Sequence, residues 1–276
     1  MKTGLDGELR FAIDTAVAAG KVLVARYGRL GAGSIGSKAR QRHNLVTRAD
    51  TDAERLVVER IRRKFPAHAI LTEETGEHGK AAAGGAQWIV DPLDGTVNFV
   101  HEIVFFAVSI ALRRGDAIDV GVVHAPLLGE TFSAARGRGA YLNGKRLRVS
   151  RTDDLRDALL ATGFPYDRTQ AKWDNRKNFS RLVHAGRGIR RLGSAALDVA
   201  YVAAGRFDAF WELRLRPWDV AAAALLVTEA GGRVTDVRGG GDWLFGGHVV
   251  ASNGLLHDTV RRRLEVPGRR RARREA

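Results

Sequence analysis

The 276-residue chain contains no cysteine and only one methionine, and its 45% hydrophobic content is nowhere gathered into a long run. Without cysteine there is neither a disulfide framework nor a thiolate metal site, so any bound metal has to be held by oxygen or imidazole. The histidines, His43, His68, His78, His101, His124, His184, His248 and His257, stand at none of the short HxH or HxxxH spacings that build zinc sites. Each is read as a surface or locally satisfied residue, which leaves hard cations with oxygen ligands as the favoured class. No stretch approaches the roughly 20 apolar residues a membrane helix needs. The first 28 residues place acidic side chains among apolar positions at helical spacing, unlike the continuous apolar core of a signal peptide, and this predicts a cytoplasmic protein.

The length and apolar content allow a sizeable buried core. A formal net charge of +14 would point to nucleic acid if it were spread over a folded face. Much of it is instead concentrated at one end. Residues 261–276 hold eight Arg and two Glu, a net +6, and the Pro267-Gly268 pair precedes the run RRRARR. Residues 267–276 are therefore read as a disordered Arg-rich tail, open to weak non-specific polyanion or RNA binding, and residues 1–266 as a single domain. No linker separates its two α/β halves, about 1–150 and 151–266, so they are expected to share an interface.

Segments 8–27 and 51–65 read as amphipathic helices, the second with Leu56, Val57, Ile61 and Phe65 as its stripe. Between them lies a loop rich in Gly and positive charge. Short apolar or alternating runs follow: AIL before Glu73, WIV before Asp91, FFAVSIALRR, AIDVGVVHAP and ETFSAARGRGAYLNG, which read as a sheet. After residue 150 strands alternate with helices: LLATGF, a helix around 173–185, the helix in GSAALDVAYVAAG, strand FDAFWEL, the helix in WDVAAAALLVTEAGG and strand GRVTDV. The alternation argues for a second layered α/β half.

The stretch WIVDPLDGTVNF is the most chemically informative. A strand delivers Asp91 at its end, Pro92 stiffens the exit, and Gly95 permits close approach of backbone to ligand where a helical turn starts. Amide groups exposed at such a turn can bind phosphate oxygens. A bare Asp-x-x-Asp is commonly a surface turn; the preceding buried strand and the Gly-Thr helix start favour a metal site here. Glu73 and Glu74 follow another apolar run, so at least one can face the same place. Asp219, at the start of a strongly apolar helix, reads on its own as a helix cap.

These segments together resemble the inositol monophosphatase family. DPLDGTVNF (91–99) and WDVAAAALLVTEAGG (218–232) look like its two signature motifs, and Glu73 and Glu74 sit where it has an acidic pair. NLVTRAD (44–50), GSAALDVAYVAAGRFDAFWE (193–212) and ASNGLLH (251–257) match as well, so the likeness runs from about Phe11 to about Leu264. It implies an α/β (α+β) fold, a layered αβαβα sandwich of the sugar-phosphatase type, commonly a homodimer. It also implies two Mg²⁺ ions, one held by Glu73, Asp91 and the Leu93 carbonyl, the other by Asp91, Asp94 and Asp219. Gly95 and Thr96 would offer amides to phosphate, Thr96 and Glu73 would position the attacking water, and Asp50 would orient Thr96 directly or through Thr47. On the sugar side, Asp94 and Glu212 would accept hydroxyl hydrogens, with Gly193, Ser194 and Ala195 framing the ring. The sequence departs from the family at Val97, where many relatives have Thr, and at Asn44, where an acid is common. Lys38 is the candidate for a flap lysine, and Arg214 and Arg216 add positive charge beside Glu212.

The implied activity is Mg²⁺-dependent hydrolysis of a small phosphorylated polyol, inositol 1-phosphate first among candidates. Histidinol phosphate, fructose 1,6-bisphosphate and a nucleotide 3′-phosphate remain alternatives on the same site. A reading of another class is an RNA- or transcription-complex interaction protein built on this fold. Against it, no aromatic residues interleave with the Arg tail to form a stacking platform.

Overall fold

The computed structural model describes residues 4–29, 35–37, 45–80, 84–165 and 174–265. In chain order, helix α1 (Leu5–Arg26), strands β1 (Ile35–Ser37) and β2 (Leu45–Thr47) and helix α2 (Arg48–Lys64) come first. They are followed by β3 (Ala69–Thr72), β4 (Gly76–His78), β5 (Ala86–Asp94), the short α3 (Thr96–Val100), β6 (Ala107–Arg114), β7 (Ala117–Ala125), β8 (Glu130–Ala135), β9 (Ala140–Leu142) and β10 (Lys145–Arg146). The later part contains β11 (Leu159–Thr162), α4 (Arg176–Leu182), β12 (Gly188–Arg190), α5 (Ala195–Ala203), β13 (Ala209–Leu213), α6 (Pro217–Glu229), β14 (Arg233–Thr235), β15 (His248–Ser252) and α7 (His257–Arg261).

Among the described residues, the two main sheets have the orders β10-β9-β8-β7-β6-β5-β3-β4 and β12-β11-β13-β15-β14, and β1 and β2 form a separate antiparallel pair. Strand β3 runs parallel to β5, and β11 runs parallel to β12 and β13; the other pairs are antiparallel. Side chains alternate across each sheet and so define the layers. In β5, Trp88 and Val90 pack with Ala12, Ala16 and Leu23 of α1 and Val57 and Ile61 of α2. Ile89 between them faces the other way, into a core formed with α5 and α6. In β13, Phe210 joins that same central core, while Trp211 packs with Leu182 of α4 and Val260 of α7. The order is thus α1/α2, large sheet, α5/α6, small sheet, α4/α7: the αβαβα sandwich expected from the sequence.

Burial on both faces explains why β5, β6 and β7 read as nearly continuous apolar runs rather than alternating ones. Helix α6 is apolar on all sides for the same reason, since it lies between two sheets. Its run of alanines allows close approach. At Gly121 on β7 a Cβ would sit only 2.5 Å from the Ala222 carbonyl oxygen, so helix and sheet meet backbone to backbone.

The structure departs from the sequence reading in several places. The strand carrying Asp91 does not end there but continues to Asp94, with a register shift against β6 between the two aspartates. Strand β15, paired with both β13 and β14, was not anticipated, nor was β12. The helix expected around 173–185 spans only Arg176–Leu182. Lys38, Asn44 and the tail 267–276 lie outside the described residues, as does most of the Gly-rich loop. Among the described residues no helix is long and apolar enough to cross a membrane.

The contact at Gly121 sets a packing prediction. Gly121→Val should lower unfolding stability by about 1–3 kcal/mol or more, as overpacking does. The urea midpoint reports it, and an unchanged midpoint would show that α6 does not press on β7.

Candidate active site

The acidic motifs meet in one cleft of about 560 Å³. Its wall begins in the irregular end of β5. Asp91 pairs with Ser109 and Asp94 with Ala107, so one extra residue is accommodated between them. This is a β-bulge at Pro92-Leu93, where proline has no N–H to give to the ladder. The bulge turns both aspartates toward the cleft. Asp91 Oδ1 accepts the Leu93 N–H at 2.9 Å, which fixes the carboxylate against its own turn. Gly95 then adopts φ +97° as the N-cap of α3, a conformation suited to glycine. A Cβ there would lie 3.1 Å from the Phe105 carbonyl oxygen.

Thr96 opens α3 and lines the cleft. Its hydroxyl donates between Asp50 Oδ1 at 3.1 Å and the Leu93 carbonyl at 3.2 Å. Asp50 is fully buried behind the cleft wall rather than lining it. Its Oδ2 accepts from the Thr47 amide at 2.8 Å and the Thr47 hydroxyl at 2.6 Å, forming the capping box of α2. The Asp50–Thr96 contact is therefore direct.

Asp94 faces the start of α5. Its Oδ2 accepts the Ser194 hydroxyl at 2.5 Å and the Ala196 N–H at 2.7 Å. Burial raises its pKa to about 6, opposed by these hydrogen bonds and reinforced by Glu73. Glu212 projects from β13, and burial pushes it up to about 8, with Arg191 opposing and Asp94 adding. Its carboxylate lies against the Gly163 Cα, where any Cβ would collide with it. Asp219 sits in the first turn of α6, where its Oδ2 accepts the Arg216 N–H at 2.7 Å. It is raised well above the carboxylate range by burial, then by Glu73, Asp94 and Glu212. Asp219 is not the N-cap expected from the sequence: Arg216 holds that position, and Asp219, three residues on, accepts the Arg216 N–H while also lining the acidic cleft.

Glu73, Asp91, Leu93, Asp94, Gly95, Thr96, Gly193, Ser194, Ala195, Glu212 and Asp219 all line this cleft. Of the acidic pair only Glu73 does so; the Glu74 N–H is turned to Glu54 Oε2 at 2.9 Å. Among the lining residues that sequence reasoning missed are Asp198, Gly163 and Arg191. Asp198 is 1% exposed, its Oδ1 has no hydrogen-bond partner among the described residues, and burial followed by Glu212 and Asp94 raises it well above the usual range. The only sequence signal for it was a single acid inside the apolar run AALDVAYVA. At the rim, Arg214 holds a left-handed φ of +67°, a conformation uncommon for a side-chain-bearing residue.

The donor set is all oxygen, and neighbouring carboxylates add to the raised pKa of Asp94, Asp198, Glu212 and Asp219, as like charges sharing a site do. A bound cation would relieve that repulsion, so the residues fit a hard divalent ion. Among the described residues no three acidic or imidazole side chains are drawn into a closed cage. Asp91, Asp94 and Asp219 each commit one oxygen to an internal hydrogen bond. Such a partial shell leaves coordination positions to water, several of which a small hard cation usually keeps.

An αβαβα sandwich with an acid-lined cleft between its two sheets defines a fold of the sugar-phosphatase type. Residues 5–266 match the Inositol monophosphatase family, and the chain belongs to it. It is 47% identical over 248 residues to the Nus factor SuhB of Pseudomonas aeruginosa, covering 89% of this chain and 91% of that protein. It is 45% identical over 225 residues to the inositol-1-monophosphatase of Rhizobium meliloti, covering 80% and 83%. The solved inositol monophosphatase of Anabaena (Nostoc) superposes with a TM-score of 0.84 at 42% identity, covering 96% and 98%.

The buried position of Glu212 has a consequence for stability. With its folded pKa raised to about 8, its proton is held more tightly folded than unfolded. That contribution is complete below the ordinary carboxylate range and lost as pH rises through about 8. Glu212→Gln imitates the neutral acid. In cation-free buffer the variant's thermal midpoint should gain on wild type progressively as pH rises from the ordinary carboxylate range to about 8, and the gap should level off above that. A gap that stays constant across pH would contradict this.

Proposed function

We propose that this chain is a Mg²⁺-dependent phosphatase acting on a small polyol phosphate monoester, with inositol 1-phosphate as its substrate. The carrying observation is that Glu73 after β3, Asp91 and Asp94 in β5 and Asp219 at the start of α6 meet in one cleft from distant parts of the sequence. Family membership supports phosphatase chemistry.

Glu73, Asp91 and the Leu93 carbonyl would hold one ion, and Asp91, Asp94 and Asp219 a second. When bound, Mg²⁺ neutralises phosphate oxygens, acidifies water and steadies the leaving alkoxide. The remaining roles belong to the chain. The backbone amides of Gly95 and Thr96 take phosphate oxygens at the α3 turn. Thr96 Oγ1, held by Asp50, sets the attacking water together with Glu73. Asp94 and Glu212 accept polyol hydroxyl hydrogens beside Gly193, Ser194 and Ala195, while Gly163 leaves room for the Glu212 carboxylate. No side-chain nucleophile is needed.

The test is phosphate release from inositol 1-phosphate, histidinol phosphate, fructose 1,6-bisphosphate and a nucleotide 3′-phosphate, with and without Mg²⁺. Inositol 1-phosphate should be preferred and chelation should stop turnover. Asp91→Asn and Asp219→Asn should each reduce turnover on the order of 10²-fold or more, since even residues behind the ligands cost 10- to 100-fold. Both variants should remain folded, because they remove charge that strains the cleft. Most of the activity surviving at saturating Mg²⁺ would rule the residue out as a ligand.

A second role, in contact with RNA or a transcription complex, is favoured by the likeness to a Nus factor and by the net charge of +14. Deleting residues 267–276 should leave kcat on the polyol phosphate unchanged and reduce only salt-sensitive RNA retention. A large fall in kcat would mean that the tail supports the folded enzyme.

A further inference from the structure

Asp50 and Glu54 stand one helical turn apart on α2, on the same face, and both are buried, at 0% and 2% exposure. Asp50 takes the Thr96 hydroxyl. Glu54 reaches the turn after β3, which carries Glu73. Its Oε2 accepts the Glu74 N–H at 2.9 Å, and its Oε1 accepts both the Thr75 N–H at 2.9 Å and the Thr75 hydroxyl at 2.6 Å. Three donors converge on one buried carboxylate, and charged acceptors make the stronger hydrogen bonds.

The same helix grips the β3–β4 hairpin a second time. Because the Thr75 hydroxyl proton goes to Glu54, the nearby His78 Nε2, 2.5 Å from that oxygen, must donate to it. His78 Nδ1 is then an acceptor, and Arg62 Nη2 on α2 lies 3.1 Å from it. Thr72 Oγ1 closes the turn from inside by donating to the Gly76 carbonyl at 3.2 Å. The hairpin is therefore tied to α2 at Glu54 and again, eight residues along the helix, at Arg62.

We propose that Glu54 is a positioning residue that sets the Glu73 arm of the cation site. Helix α2 thereby acts as a single spacer: Asp50 fixes Thr96, and Glu54 fixes the backbone next to Glu73. The inference rests on the reading of Glu73 as a cation ligand given above. It adds a residue that touches neither cation nor substrate, and it ties the two groups proposed to hold the attacking water to one rigid element. The alternative is a hairpin staple with no bearing on the site.

Glu54→Gln in the full chain separates the two. Glutamine offers one acceptor oxygen to three donors and turns an NH₂ toward an N–H. Calorimetric titration with Mg²⁺ alone should show affinity weakened about tenfold, the scale seen when residues behind metal ligands are changed. Excess Mg²⁺ should restore most of kcat, with the KM for inositol 1-phosphate near wild type. Thr75→Ala, which removes one of the three donors and leaves the helix intact, should weaken Mg²⁺ by a smaller factor; it serves as the test if Glu54→Gln does not fold. A lowered thermal midpoint with unchanged Mg²⁺ affinity in the folded variant would overturn the proposal and leave a staple. Absence of Mg²⁺ uptake by the wild type would instead overturn the phosphatase reading, and this inference with it.

Discussion

Carboxylates buried side by side repel each other, and the cleft of this protein gathers several of them. Asp94, Asp198, Glu212 and Asp219 are each raised above their ordinary range, with burial as the first cause and one another's charge among the rest. Arg191 is the opposing cation for Asp198 and Glu212. Much of the surrounding architecture serves to hold these groups where they are. Ser194 and the Ala196 amide at the start of α5 are directed at Asp94, the Arg216 amide at Asp219, and Gly163 makes way for Glu212. A fold that maintains such repulsion without a counter-charge is less stable for it, which is the physical ground for a resident cation.

The layers make the convergence possible. The cleft opens where the end of β3, the bulged end of β5, the starts of α5 and α6 and strand β13 come together. Helix α6 can lie between the two sheets because its alanines and Gly121 allow backbone-level approach. This close packing sets the distance of Asp219 from the β5 aspartates. Helix α2, on the outer side of the large sheet, supports the same site from behind through Asp50. The site is thus assembled from both sheets and from helices of two layers, and it depends on the packing between them.

The parts of this arrangement legible in sequence were those whose chemistry is local. Asp91, Asp94, Gly95 and Thr96 lie within six residues, and a strand followed by a turn was enough to identify them. The helices and most strands followed from apolar spacing because their burial is periodic. Asp219 was ambiguous because a residue in the first helical turn that accepts a backbone N–H looks the same whether or not it faces a cleft. Asp198 gave no signal beyond one acid in an apolar helix, and Glu54 looked like any solvated helical glutamate. The partners of Glu54, the amides of Glu74 and Thr75, lie 20 and 21 residues away in the sequence. Strand β15 escaped notice because it is short and follows a glycine-rich stretch, and its pairing partners β13 and β14 supply the context. The bulge at Pro92-Leu93 needed the register against β6 to be seen.

A cation that relieves the carboxylate repulsion of the cleft should expel protons as it binds, because metal ligands must be deprotonated to bind. Mg²⁺ binding would be measured calorimetrically near pH 6, the value to which burial raises Asp94, in two buffers of different ionisation enthalpy. Binding should be saturable, with net proton release that shrinks as pH is raised. Binding without proton release, or no binding, would contradict this.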